Sequence, residues 1–377
     1  MPSAAAPRVL FLGTTYAGWR TRFENLKAHT QHDRRIRPVY HTITGWNATG
    51  TIERLPGVPR SVKGRVRGVL EAAAYASTPR PDVIWFGGVP TVLLPYVWAQ
   101  FGALRRPMIH ELDWTVQQQE AFAPMYYNRP PRKGARLALA RWQERLIWSN
   151  VSLFTPMSNW AAHSLRQQGV RAERIHVLHP GLDLSKWQPH ARTRDSRDSK
   201  LRLLFVGGDF ERKGGSMLLD VFRARFADRC DLDIVTTSAV DASPGVRVHT
   251  AQPNSDKLHG LYAAADLLVL PTRADCFGHV AVEALASGLP VVMSDVGGVR
   301  DIIDDDKTGW LIQPDRRSLA DALERALHER HRLPDMGRLG REVAEQRFDG
   351  PRNDSHLVDL LVQQANLNHT SEATCQL

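Results

Sequence analysis

Residues 271–298, PTRADCFGHVAVEALASGLPVVMSDVGG, decide the fold. The apolar run just before them, 267–270, has the length of a buried strand. A polar loop follows over 272–275. Gly278 then opens a helical stretch, 279–287, which Gly288 stops. Pro290 leads into a second short apolar strand, 291–293. A strand, a glycine-bearing loop and a helix start make a place for an anion. The first amides of a helix, here from Gly278, His279 and Val280, have no partner inside it, and the helix dipole adds positive charge. Asp275 precedes the helix and Glu283 stands on it, about 12 Å apart if the span were all helical. Carboxylates accept pairs of hydroxyls well, so one suits a sugar and the other a ribose, with a diphosphate between them. An ordinary αβ unit with two surface acids accounts for the same residues.

A second strand, loop and helix of this kind lies upstream. The strand 201–206 ends at Gly207-Gly208, a loop carries Arg212 and Lys213, and a helix follows over 216–226. Two cations at a helix start again suit an anion; a solvated basic turn is the plainer account.

Together these segments resemble retaining GT-B glycosyltransferases of family 4, the group 1 transferases. That family's donor signature is an acid, any residue, Phe-Gly, four residues, then Glu-Ala. Here it reads Asp275, Cys276, Phe277, Gly278 and Glu283-Ala284, continued by Gly288-Leu289-Pro290-Val291 and by 294–298. The first acid is usually Glu, and Asp275 is one methylene shorter. Lys213-Gly214 match the family's Lys-Gly. Gly208 stands where Arg is common, and Arg212 offers that charge instead. The resemblance implies an α/β chain of two facing Rossmann-like domains, with an interdomain cleft and a C-terminal helix crossing back to the first. It implies transfer of a sugar from a nucleotide-diphosphate donor to an acceptor hydroxyl, with retained configuration, no covalent intermediate and no metal or other cofactor. Lys213 and Arg212 would neutralise the diphosphate leaving group, the main catalytic effect. Gly207, Asp275, Phe277, Gly278, His279, Val280 and Glu283 would complete the donor site.

In the first half, strand 8–13 ends at Gly13, which the resemblance places near the cleft. The following loop is not GxGxxG, so a dinucleotide fingerprint is absent. Strand 108–112 delivers a polar residue to the reaction centre in the resembled family. Counted from Pro107 that residue is Asp113; His110, three positions earlier, points to the opposite face of a strand and is the weaker choice. Capping of a following helix is the alternative for Asp113. Further strands are expected over 151–156 and 174–178, and helices within 51–76 and over 92–103 and 158–168. The domains read as 1–185, a linker 186–200, a donor domain 201–347, a crossing helix 348–365 and a disordered tail 366–377.

Net charge is +9 and unevenly spread: residues 1–180 hold 24 Lys and Arg against 10 Asp and Glu, the remainder 25 against 30. A basic half suits an anionic partner, such as a lipid-linked glycan acceptor or an anionic membrane surface. Residues 129–148 give a basic amphipathic helix with Trp142 and Trp148, readable as a membrane-surface helix or as a core helix with a solvated face. No apolar run approaches ~20 residues and residues 1–7 lack the features of an export leader; the expectation is a cytosolic protein, peripheral at most. The three cysteines, Cys230, Cys276 and Cys375, have no metal or disulfide spacing. Asp231-Leu232-Asp233 spells a metal motif but falls at a strand, and 304–306 reads as a turn, so no metal is expected. A sugar-nucleotide epimerase or a phosphorylase is the alternative on this fold. Nucleic-acid binding is not expected, since no recognisable module accompanies the arginines.

Overall fold

The computed structural model describes residues 5–14, 17–43, 54–58, 63–64, 66–67, 80–88, 106–189 and 200–374. The helices expected within 51–76 and over 92–103, most of the polar linker and the last three residues lie wholly or mostly outside the described residues. The chain divides into two compact units. The first comprises residues 1–121, 131–180 and 350–377; the second comprises 122–130 and 181–349.

In the first unit β1 (Arg8–Thr14), β2 (Arg37–Ile43), β3 (Val83–Gly87), β4 (Met108–Leu112) and β5 (Leu153–Pro156) form a parallel sheet in the order β2-β1-β3-β4-β5. Among the described residues the helices are α1 (Ala17–Thr30), α2 (Val116–Ala121), α4 (Gly134–Trp148), α5 (Asn159–Gln167) and the C-terminal helix (Gly350–Thr374); α3 (Ala123–Tyr127) falls in the second unit. Side chains alternate along β1 and sort onto two faces. Leu10 and Leu12 join Phe86, Ile147, Trp148 and Leu165 on one. Val9 and Phe11 join Trp85, Phe23, Leu26, Leu357 and Leu361 on the other. Strands covered on both faces need to be apolar throughout, and β3 and β4 are buried along their whole length.

Two expectations are corrected here. The strand expected over 174–178 reduces to a single bridge, Ile175 to Phe154. His176 and Leu178 donate to Phe154 and Pro156 at 2.9 and 3.0 Å, but β5 stops at Pro156, which has no N–H to extend a ladder. The C-terminal helix runs Gly350–Thr374, through most of the expected disordered tail. Beyond Pro351 the sequence offers neither glycine nor proline to stop it. The edge strand β2, which no apolar run announces, is only half-buried over most of its length.

Buried charges fasten the C-terminal helix to this unit. Arg22 on α1 donates to both carboxylate oxygens of Glu111 on β4, at 2.7 and 3.0 Å. It also pairs with Asp354 at 2.6 Å, and His29 Nδ1 lies 2.6 Å from the same carboxylate. Burial pushes the Glu111 carboxyl above its ordinary value, against the pull of Arg22.

In the second unit β6 (Leu201–Val206), β7 (Cys230–Val235), β8 (Val246–His249), β9 (Leu267–Leu270), β10 (Val291–Ser294) and β11 (Gly309–Ile312) form a parallel sheet ordered β11-β10-β9-β6-β7-β8. Its helices are α6 (Gly215–Arg225), α7 (Asp256–Ala264), α8 (His279–Ala286), α9 (Arg316–His328) and α10 (Leu333–Arg347). Counted from β6, this is the strand order of a dinucleotide-binding fold, and the order reverses between β6 and β9. Crossovers leave those two strands to opposite faces, so their carboxyl ends open a crevice that suits a ligand. The loops reaching that crevice are 207–214 and 271–278, the two stretches singled out from sequence. No described helix is long and apolar enough to cross a membrane.

Removing the cation from the buried cluster strands two carboxylates. Arg22→Met is expected to cost about 3–5 kcal/mol in denaturant unfolding. Arg35→Met breaks the half-exposed pair with Asp359 and should cost less than about 1 kcal/mol.

Candidate active site

The two loops interlock through one backbone bond and one side-chain bond. The Arg273 N–H donates to the Arg212 carbonyl at 2.9 Å, and Arg212 Nη1 returns a bond to the Ala274 carbonyl at 2.8 Å. Gly214 caps α6 in the left-handed region at φ +78°. A Cβ there would lie 2.0 Å from the Pro271 carbonyl oxygen, so only glycine permits this approach. Gly278 caps α8 at φ +104°, and no side chain caps that helix start. Its first amides have no partner within the helix, and the dipole favours an anion in front of them.

Lys213 projects from the first loop and forms an ion pair with Asp275 of the second; their side chains are 13% and 10% exposed. Gly207 flanks the lysine stem, where a Cβ would come within 3.0 Å of Cγ. Glu283 stands on α8 and accepts a hydrogen bond from the Tyr262 hydroxyl at 2.7 Å. Burial pushes its carboxyl up to about 7, with the Tyr262 hydrogen bond and the Lys213 charge pulling the other way. Lys213 therefore sits within electrostatic reach of both acids. Tyr262 is buried, its ring edge-on to Trp187 at 5.3 Å. Neither residue is signalled locally: Tyr262 lies 21 positions before Glu283 and looks like an ordinary helix residue.

The other residues chosen from sequence fall into distinct settings. Arg212 pairs with Asp209 at 3.0 Å and stacks over the Tyr126 ring at 4.2 Å. Phe277 is buried against Phe348, ring centroids 6.1 Å apart. It anchors the loop, and its backbone leads into the helix start. His279 and Val280 are half-buried in the first turn of α8. In the first unit Gly13 is a packing glycine, since a Cβ would lie 2.2 Å from the Phe23 ring. His110 is enclosed in the core, stacked on Phe86 at 4.2 Å with Nε2 3.2 Å from the Gly88 carbonyl oxygen. Burial lowers its imidazole to about 4. Asp113 lies just past the end of β4 and is half-buried. The helix after it begins only at Val116, whose N–H donates to Glu144 at 2.7 Å. Trp148 belongs to the core, edge-on to Phe154, whereas Trp142 is exposed. Asp233 is taken up by Arg247 and His249 at 2.8 and 2.7 Å. Asp304 is paired with Arg347, and Asp306 with Arg325 and Arg332. No three His, Cys, Asp or Glu side chains gather in metal-binding geometry among the described residues.

Two family models match in tandem. "Glycosyl transferase 4-like domain" covers residues 12–181, and "Glycosyl transferases group 1" covers 200–329. The chain belongs to the group 1 glycosyl transferases. This glycosyltransferase is 26% identical over 326 residues to the D-inositol 3-phosphate glycosyltransferase of Pseudarthrobacter chlorophenolicus, covering 80% of this chain and 74% of that one. Sucrose-phosphate synthase from Thermosynechococcus elongatus shares the fold, with a TM-score of 0.73 at 20% identity over 95% of this chain and 98% of that one. Anabaena HepE in complex with UDP and glucose superposes at a TM-score of 0.69 and 18% identity, over 94% of this chain and 99% of that one. These neighbours are GT-B glycosyltransferase folds, and the two parallel α/β units described above are of that type.

The raised Glu283 value gives a pH test of the ribose contact expected from the sequence. Only the ionised carboxylate accepts two hydroxyls, so a ribose held there binds more tightly as pH rises through about 7. Titration calorimetry should show a gain of up to about tenfold in nucleotide affinity from pH 6 to pH 8. Glu283→Gln should remove that part of the pH dependence. Identical profiles for the two proteins would exclude the ribose contact.

Proposed function

We propose that this glycosyltransferase moves a hexose from a nucleotide-diphosphate sugar to an acceptor hydroxyl with retention of anomeric configuration, as in family 4, and serves polysaccharide or cell-envelope synthesis. The observation that carries the reading is the Lys213–Asp275 pair, set between two helix starts at the switch point of the second sheet. In this reading the diphosphate lies before the first turn of α8, over the Gly278, His279 and Val280 amides, and Lys213 faces the leaving group. Gly207 leaves room for the lysine stem and Arg212 adds a second cation. Asp275 accepts from a sugar hydroxyl, and Glu283 from the ribose.

The sugar–phosphate C–O bond breaks while the acceptor oxygen bonds to the same carbon from the leaving-group side. The hydroxyl proton passes to a phosphate oxygen, so no covalent enzyme intermediate is needed. Negative charge grows on the diphosphate as the bond opens, and Lys213 and the helix amides are already in place to meet it. These groups take the role a metal would otherwise fill. Asp113 is assigned to positioning the sugar or acceptor; His110, inside the core, is the lesser candidate. HepE is described with UDP and glucose, which favours a uridine nucleotide as the first donor to try.

For the acceptor we favour an anionic or lipid-linked glycan met at a membrane surface on the cytoplasmic side. The P. chlorophenolicus relative is named for an inositol phosphate. On α4, Leu139 and Trp142 are 53% and 54% exposed, beside the exposed Arg136 and Arg145. Apolar side chains among arginines suit an interface with anionic lipid.

Lys213→Ala should lower turnover at saturating donor at least a hundredfold; a variant turning over at the unaltered rate would end the phosphate assignment. Co-sedimentation with vesicles containing phosphatidylglycerol should be salt-sensitive and should drop severalfold in Trp142→Ser/Arg136→Glu. Equal recovery with neutral and anionic vesicles would rule out the membrane contact.

A further inference from the structure

The segment 122–130 is flanked on both sides by residues of the first unit, yet it belongs to the second. Its short helix α3 ends at Asn128, in the left-handed region at φ 47°. It carries Tyr126, which meets both donor loops at once. The face of its ring lies 4.2 Å from the Arg212 guanidinium carbon, and its hydroxyl lies 3.3 Å from Cys276 Sγ. Phe122 stacks on the same ring, centroids 6.2 Å apart.

We propose that Tyr126 is a positioning residue for the diphosphate half of the donor site, holding the Arg212 guanidinium in place. This rests on the reading that the two loops bind a nucleotide diphosphate. Arg212 has three described holds. Asp209 is half-exposed, so that ion pair is screened and weak. The Ala274 carbonyl fixes one nitrogen. The Tyr126 face fixes the plane of the group, because a cation is drawn to the negative face of an aromatic ring. Burial raises the Tyr126 hydroxyl well above its ordinary value, so it remains an uncharged partner for the Cys276 thiol. Without the ring, the guanidinium keeps its charge but loses its orientation, and a planar fork is useful to a phosphate only when aimed.

The test uses the whole chain and whichever of UDP, GDP and ADP binds it most tightly, with the matching nucleoside as control. Tyr126→Ala should weaken diphosphate binding about two- to thirtyfold and leave nucleoside binding unchanged. Tyr126→Phe keeps the ring and should stay within about twofold of the unaltered protein. In an Arg212→Ala background, Tyr126→Ala should have no further effect. Tyr126→Leu, which keeps more bulk, replaces the alanine variant if that one melts early. The proposal is overturned if the ring-deleted variant binds diphosphate normally, if the loss is equal in the Arg212→Ala background, or if phenylalanine fails as alanine does. Lys213→Ala separates the two levels. If it loses diphosphate binding while Tyr126→Ala retains it, the positioning role alone is wrong; if both retain it, the donor-site reading is wrong.

Discussion

The second unit depends on one constraint: a lysine and an aspartate from different loops, both mostly withdrawn from solvent, must satisfy each other. A buried charge is costly unless it is paired and hydrogen-bonded. The Lys213–Asp275 pair meets that requirement only if the loop after β6 and the loop after β9 are held at a fixed separation. The backbone bond from Arg273 to Arg212 and the bond from the Arg212 guanidinium to the Ala274 carbonyl fix it, and Gly214 against the Pro271 carbonyl sets how close it is. Each helix start is therefore positioned by the other's loop, and the pair is oriented by contacts within the protein. Such preorganisation lets charge stabilisation act without a cost of rearrangement during reaction.

What was legible in the sequence is what is local. The strands show because parallel sheets covered on both faces need short unbroken apolar runs, and each of β1, β3 and β6 has a glycine at or beside its last residue. The two loops show because each is local by itself: an acid and a glycine before one helix, a lysine and a glycine before the other; that Lys213 and Asp275 meet across 62 positions is shown only by the structure. What was not legible is what long separations bring together. Glu111 and Asp354 lie 89 and 332 positions after Arg22, with which both pair in a buried ionic cluster of the first unit, and each alone reads as a surface charge. Tyr126 and Tyr262 look like generic aromatic residues until their partners Arg212 and Glu283 are seen. The choice between His110 and Asp113 shows the limit of periodicity. Alternation separates their faces, but only the structure shows that His110 is sealed against Phe86.

Asp275 and Glu283 differ in what holds them. Asp275 is bound to a cation. Glu283 is bound to a neutral hydroxyl, in surroundings that raise its carboxyl to about 7. Near neutral pH the charge on Glu283 changes easily, and whether it is charged depends on what donates to it. A ribose would supply two donors and favour the ion. Nucleotide binding and ionisation of Glu283 are in that case linked, and Tyr262, kept neutral by burial beside that acid, orients the carboxylate without competing for its charge.

Charge counting then explains why a second cation and the helix amides matter on the proposed reading. Lys213 and Asp275 cancel, and Glu283 contributes between zero and one negative charge. The three side chains alone would be neutral to anionic, a poor seat for a diphosphate. The net attraction has to come from groups that carry no opposing partner within the site. The first amides of α8 qualify, because their positive end is fixed by the helix and no side chain caps it. Arg212 qualifies in part, because its partner Asp209 is half-exposed and screened. Binding strength thus turns on how well one guanidinium is aimed, which gives the Tyr126 ring beneath it a physical reason to be there.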